Sequence, residues 1–143
     1  MNVDLKRAII IDNYQNPYHK GLIKDKTYIK VNTNNESCID NIDLMVKIKD
    51  KKIEDIVFDG EACAISTSAT SIMIKTFIGK NIEEIKKIIN HYEKMINEEI
   101  YEADKLGELN VYEDIYKQPN RKKCALLPII AIKKIIDNNS EKW

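Results

Sequence analysis

Apolar positions along this chain change period twice. Residues 4–14 place Leu5, Ala8 and Ile9 at helical spacing, which predicts a short first helix before the turn-forming stretch "NPYHKG" (16–21). Three stretches then read as strands. "TYIKVNT" (27–33) puts Ile29 and Val31 on one face, "DLMVKIK" (43–49) puts Leu44, Val46 and Ile48 on one face, and "IEDIVFD" (53–59) is β-branched and aromatic. The polar connection Asp50-Lys51-Lys52 suits a hairpin, so the expected product is an antiparallel meander with one wet face.

The helical period returns after Cys63. Residues 66–78 predict a helix with Ser66 or Thr67 as N-cap and Gly79 as the stop. Asn81 caps the next helix, where Ile82, Ile85, Ile89, Tyr92 and Ile96 recur at three- and four-residue steps, Ile88 and Met95 lie beside them, and Glu and Lys fill the other side. Residues 102–120 read as irregular with one short helix, and a last helix is expected over 120–136. Pro128 falls inside it and has no N–H for the carbonyl of Cys124. A kink or a late start is therefore expected, with the Cys124 backbone held less tightly.

Composition narrows the class. The length of 143 residues fits one domain, 1–143, able to bury a core without staples. Lys+Arg and Asp+Glu are both 23, so no basic excess points to nucleic acid as a partner. The N-terminal apolar run at 8–11 is too short for a signal-peptide core, and no apolar stretch approaches a membrane span. The expectation is a cytoplasmic protein without a membrane partner.

The three cysteines, Cys38, Cys63 and Cys124, are an odd number for a disulfide framework, and in a reducing compartment they lean towards metal or catalysis. All three fall at predicted element ends. Cys38 lies between the first two strands, Cys63 between the third strand and a helix, and Cys124 in the expected first turn of the last helix. A thiol beside a helix N-terminus gains acidity, and the thiolate binds metals. Asp40 stands two residues from Cys38, on the same side of an extended chain. Three thiolates and this carboxylate would make a closed tetrahedral set suited to Zn²⁺, with Arg121, Lys122 or Lys123 to offset its negative charge. Arg121 is the best of these, since its planar fork matches a carboxylate or sulfur anion. Spacing alone leaves two readings open, a shared metal site and three unrelated thiols.

Other candidates read more plainly. His19 and His91 are expected at the surface, the Ser and Thr cluster at 66–71 packs a glycine-free helix and is no phosphate loop, and Glu61 lacks a paired base.

The motifs taken together resemble the IscU/NifU N-terminal family of iron–sulfur cluster assembly proteins, in its SufU-type branch. "LKRAIIIDNYQNPYHKG" is similar to the family's opening helix and turn, "NNESCID" to its N-N-P-x-C-G-D segment, "GEACAISTSATSIM" to G-x-G-C-x-I-S with a small-residue run, "GK" at 79–80 to the link between its middle helices, and "PNRKKCALL" to P-x-R-x-x-C-A-x-L. The resemblance implies an α+β fold, a three-stranded antiparallel sheet with helices packed on one face. It implies Cys38, Asp40, Cys63 and Cys124 as the metal site. Lys123 stands where scaffold-type members have a histidine, and Lys has no lone pair to give while protonated. That, the segment at 105–119 and Arg121 are similar to the SufU-type branch, whose members bind zinc and accept persulfide sulfur from a cysteine desulfurase of the SufS type. The resemblance thus implies a zinc-dependent sulfurtransferase, with Arg121 at its site and downstream iron–sulfur scaffold proteins as further partners. Cys38 is the expected acceptor on separate grounds, because it lies on a loop, and loops carry reactive groups into partners more easily than helix ends do. The alternatives are a scaffold that holds iron or a [2Fe–2S] cluster on the same ligands, and a purely structural zinc domain that serves as an interaction module. The chain departs from the family at Glu36, Ile39, Ala62, Pro128 and Ile129. Ile39 and Ala62 replace glycines, and a β-branched residue resists positive φ, so the ligand loop is expected either to change shape or to have used glycine for partner approach.

Overall fold

The computed structural model describes residues 1–36 and 38–138. Helix α1 (Val3–Gln15) is followed by strands β1 (Ile29–Asn34), β2 (Asn41–Lys49) and β3 (Lys52–Glu61), then helices α2 (Ala64–Phe77), α3 (Ile82–Ile96) and α4 (Pro119–Asn138). Three short 3₁₀ turns, Ala103–Lys105, Gly107–Tyr112 and Ile115–Lys117, fill the segment expected to hold one short helix.

The sheet is antiparallel in the order β1-β2-β3. Alternation sends Ile42, Leu44, Val46, Ile56 and Phe58 into the core, an irregularity in the β2–β3 pairing at Lys47/Ile48 lets Ile53 join them, and α2, α3 and α4 complete it. The other face is not wholly wet, since the cross-strand pair Met45 and Val57 is buried on it. The β2–β3 hairpin closes through Asp50 and Lys51, at φ 53° and 63°. Two consecutive positive φ values match the right-handed strand twist in a two-residue turn. The hairpin end is then clasped to the α2–α3 link, where Ile82 N–H donates to the Lys51 carbonyl at 2.9 Å.

Helix α3 buries the predicted stripe, and Asn81 accepts from Glu84 N–H at 2.8 Å as its N-cap. Helix α1 differs from its expectation. Leu5 and Ala8 face solvent, while Ile9, Ile10 and the buried Asn13 face inward. A polar pair decides this orientation, because Ser71 Oγ of α2 donates to Asn13 Oδ1 at 2.8 Å.

Helix α2 is the hub. Residues 66–74 are all buried. Their hydroxyls reach neighbouring elements, as Ser68 does to the Tyr112 hydroxyl at 2.5 Å and Ser71 does by accepting from Tyr18 N–H at 2.9 Å. Buried hydroxyls placed this way cost little desolvation and fix the packing direction. Among the described residues no helix is long and apolar enough to cross a membrane.

Candidate metal centre

Three elements of the fold end at one place. The β1–β2 loop brings Cys38 and Asp40, the β3–α2 junction brings Cys63, and α4 brings Cys124. One ligand atom from each of the four lies within 4.8 Å of all the others. Of the two readings that spacing left open, the shared site is the one the geometry permits.

Cys63 is itself the N-cap of α2, in place of the expected Ser66 or Thr67. Its sulfur accepts from Ser66 N–H at 3.4 Å, so an orphan helix donor points at it. Sulfur here fills a position that sequence preference assigns to Ser, Thr, Asp or Asn, which is why the N-cap reads three or four residues late.

Asp40 is 2% exposed and fully engaged. Cys63 N–H donates to its Oδ1 at 2.7 Å and the Ser66 hydroxyl to its Oδ2 at 2.6 Å. Burial works to raise its pKa, but these hydrogen bonds, with those from Cys124 and Cys63, prevail and hold it below the usual carboxylate value.

Cys124 departs from its expected place. Helix α4 begins at Pro119, where a missing N–H costs nothing, so Cys124 falls in the second turn and not the first. It is 1% exposed, and burial pushes its thiol up to about 12, with the hydrogen bond to Cys63, its charge and Asp40 adding to the effect. The acidifying helix end expected from sequence is therefore absent at this thiol. Asn35 Nδ2–H donates to its sulfur at 3.9 Å. Arg121, exposed one turn earlier, lies beside Cys124 and in the field of Cys63 and Cys38, and these sulfurs raise its pKa, Cys124 most. Cys38, Asn120, Arg121 and Cys124 line one cleft.

Pro128 neither breaks nor delays α4, which runs through it. The carbonyl of Cys124 instead accepts from the Ser66 hydroxyl at 3.2 Å. Ser66 thus enters the site although sequence reasoning placed it only as a cap or packing residue. The signal was Pro128, since a buried carbonyl robbed of its helix donor needs another. Ile39 and Ala62 adopt no positive φ, so replacing the family glycines does not force left-handed backbone on the loop. Ile39 is 70% exposed. His19 pairs with Asp55 and the Ile56 carbonyl, and His91 accepts from Glu102 N–H, both outside the cysteine group.

The donor set fits a cation. Three sulfurs and a carboxylate held this closely repel one another once ionised, and a divalent ion reverses that balance. A tetrahedral ion with sulfur bonds of about 2.3 Å asks for sulfurs about 3.8 Å apart. The 4.8 Å grouping is within small side-chain adjustments of that spacing.

Comparison with known proteins places this geometry. The NifU-like N terminal domain family model matches residues 5–142. The chain is 36% identical over 135 residues to the zinc-dependent sulfurtransferase SufU of Bacillus subtilis (strain 168), covering 93% of this chain and 90% of that one. It is 34% identical over 137 residues to the iron–sulfur cluster assembly scaffold protein IscU of Streptococcus pyogenes serotype M1, covering 95% and 85%. The crystal structure of an N-terminal NifU-like protein from Brucella abortus superposes with a TM-score of 0.85 over 99% of this chain and 100% of that one, at 16% identity, and so shares the fold. With its α+β architecture, its ordered motifs and this span of similarity, the chain belongs to the NifU-like N-terminal domain family.

Proposed function

We propose that this protein is a zinc-dependent sulfurtransferase of iron–sulfur cluster assembly, working in the cytoplasm with a cysteine desulfurase of the SufS type. The observation that carries the reading is the convergence of Cys38, Asp40, Cys63 and Cys124 beside an arginine. The similarity to a named zinc-dependent sulfurtransferase over nearly the whole chain supports it. Zinc held by these four residues would keep the sulfurs deprotonated at neutral pH and guard them against oxidation.

The chain's own residues then divide the work. Cys38 is the acceptor, because it lies on a loop at the cleft, while Cys63 is fixed as the N-cap of α2 and Cys124 is buried within α4. Its thiolate attacks the outer sulfur of the desulfurase persulfide. A sulfur–sulfur bond forms on Cys38, the bond within the donor persulfide breaks, and the donor cysteine leaves as a thiolate. Arg121 stabilises negative sulfur at the mouth of the cleft, and Asp40 supplies the oxygen ligand. Downstream scaffold proteins receive the sulfur.

The test combines metal analysis with sulfur labelling. Anaerobically purified protein is expected to hold one zinc, and to carry labelled persulfide after incubation with the desulfurase and labelled cysteine. Cys38→Ala should abolish the label on this chain, and undiminished labelling would overturn the acceptor assignment. Iron with acid-labile sulfide in place of zinc would favour a cluster scaffold, the role named for the streptococcal relative.

A further inference from the structure

Ser66 touches three of the four ligand-bearing residues with one side chain. Its hydroxyl lies 2.6 Å from Asp40 Oδ2 and 3.2 Å from the Cys124 carbonyl. The Cys63 sulfur stands 3.5 Å from the same oxygen and accepts from the Ser66 backbone N–H at 3.4 Å. The residue is 0% exposed, so water cannot replace any of these contacts. A hydroxyl has one proton and here two acceptors, Asp40 and the Cys124 carbonyl. The first distance is that of a short, charge-assisted bond, and the second is longer.

The second contact exists because of Pro128. In an uninterrupted helix the Cys124 carbonyl would accept from the N–H four residues on, and proline has none. The chain thus gives one buried hydroxyl two duties, to orient a carboxylate ligand and to satisfy the backbone of a thiol ligand. We propose that Ser66 is the positioning residue of this centre. It locks Asp40, Cys63 and Cys124 into a preformed set of three ligands, and leaves Cys38, on its loop, as the ligand that moves. The proposal rests on the reading that these four residues share one cation. It adds to that reading which part of the site stays fixed while sulfur is received.

Ser66→Ala, Pro128→Ala and the double variant test it. Each is prepared metal-free and measured for zinc affinity by chelator competition, for the visible spectrum of its cobalt(II) form, and for thermal stability. Loss of an outer-shell hydrogen bond to a ligand typically weakens metal binding about 10–100-fold. Ser66→Ala should weaken zinc in that range and shift the cobalt bands, as the carboxylate reorients. Pro128→Ala should bind zinc within about twofold of the parent. In the double variant the restored helix N–H serves the Cys124 carbonyl, so thermal stability should recover while zinc affinity and the cobalt spectrum remain altered. That split separates positioning of Asp40 from a structural hydroxyl, and it protects the test should Ser66→Ala alone fold poorly. Unchanged affinity and spectrum in the double variant would overturn the role of Ser66. A parent protein that binds neither zinc nor cobalt would instead overturn the metal reading itself.

Discussion

Single residues set the geometry of the centre, and Gly60 shows how tightly. It pairs with Ile42 across β2–β3 at φ +139°, and a Cβ there would lie 2.1 Å from the Asn41 carbonyl oxygen. Asn41 follows Asp40 directly, so the strain would fall on the backbone of a ligand. Gly60→Ala should lower stability by about 2–4 kcal/mol, read from urea unfolding, and weaken zinc binding with it. A change under about 0.5 kcal/mol would show that the strand shifts freely, and the link between Gly60 and ligand placement would fail. The sequence motif made Gly60, Ala62 and Ile39 look alike as family glycine positions, and only Gly60 needs to be glycine for its backbone. The four candidate ligands were legible through motif order. Spacing could not join residues 38 and 124, because what joins them is tertiary packing. Ser66 was hidden for another reason, since a small hydroxyl on a buried helix reads as packing until the proline opposite it is asked where its missing bond went.

At the scale of elements, periodicity was a good guide where one face is apolar and failed where polar groups dock. Helix α3 and the strands followed their hydrophobic patterns. Helix α1 did not, because its weak apolar stripe is overruled by Asn13 and by Lys6, whose ammonium meets Glu113 and Asp114 at 2.6 Å each. Lys6 is 12% exposed in its side chain and Asp114 is 52% exposed, so solvent screens the pair and its worth is about 0.5–1 kcal/mol. The hydrogen bond to Lys6 holds the Asp114 carboxyl below its usual value, while the bonds from Asp114 and Glu113 raise Lys6. A lowered carboxylate contributes stability above its unfolded value, about pH 4, and loses it as pH falls through the folded value. A raised lysine contributes below about pH 10 and loses it as pH rises through its folded value. Lys6→Met should therefore cost stability at pH 7, with the gap to the parent closing at acidic pH and again at strongly alkaline pH. A gap independent of pH would mean that Lys6 acts through its hydrocarbon stem alone.

For the whole molecule, the centre would act as a cross-link once a cation is bound. A cation shared by Cys38, Asp40, Cys63 and Cys124 would tie the β1–β2 loop, the start of α2 and the body of α4 into one point. These attachments are far apart in sequence, so the unfolded chain gives up more loop entropy to form them than it would for a local site. Without the ion, burial keeps the Cys124 thiol up at about 12. With it, folding gains the binding free energy, about 2.7 kcal/mol when free zinc is a hundredfold above its dissociation constant. For a chain of this size that corresponds to roughly 5–11 °C in melting temperature. Chelation should lower the melting temperature by that order and speed amide exchange first in α4 around Cys124. Exchange in α3 should change less, since none of the four grouped residues lies on it, although its Tyr92 hydroxyl donates to the carbonyl of Ala125, next to Cys124, at 2.8 Å. An equal loss of protection across α3 would instead mean that the ion holds up the entire fold, and the fixed set of three ligands would then be a product of metal binding and not its preformed host.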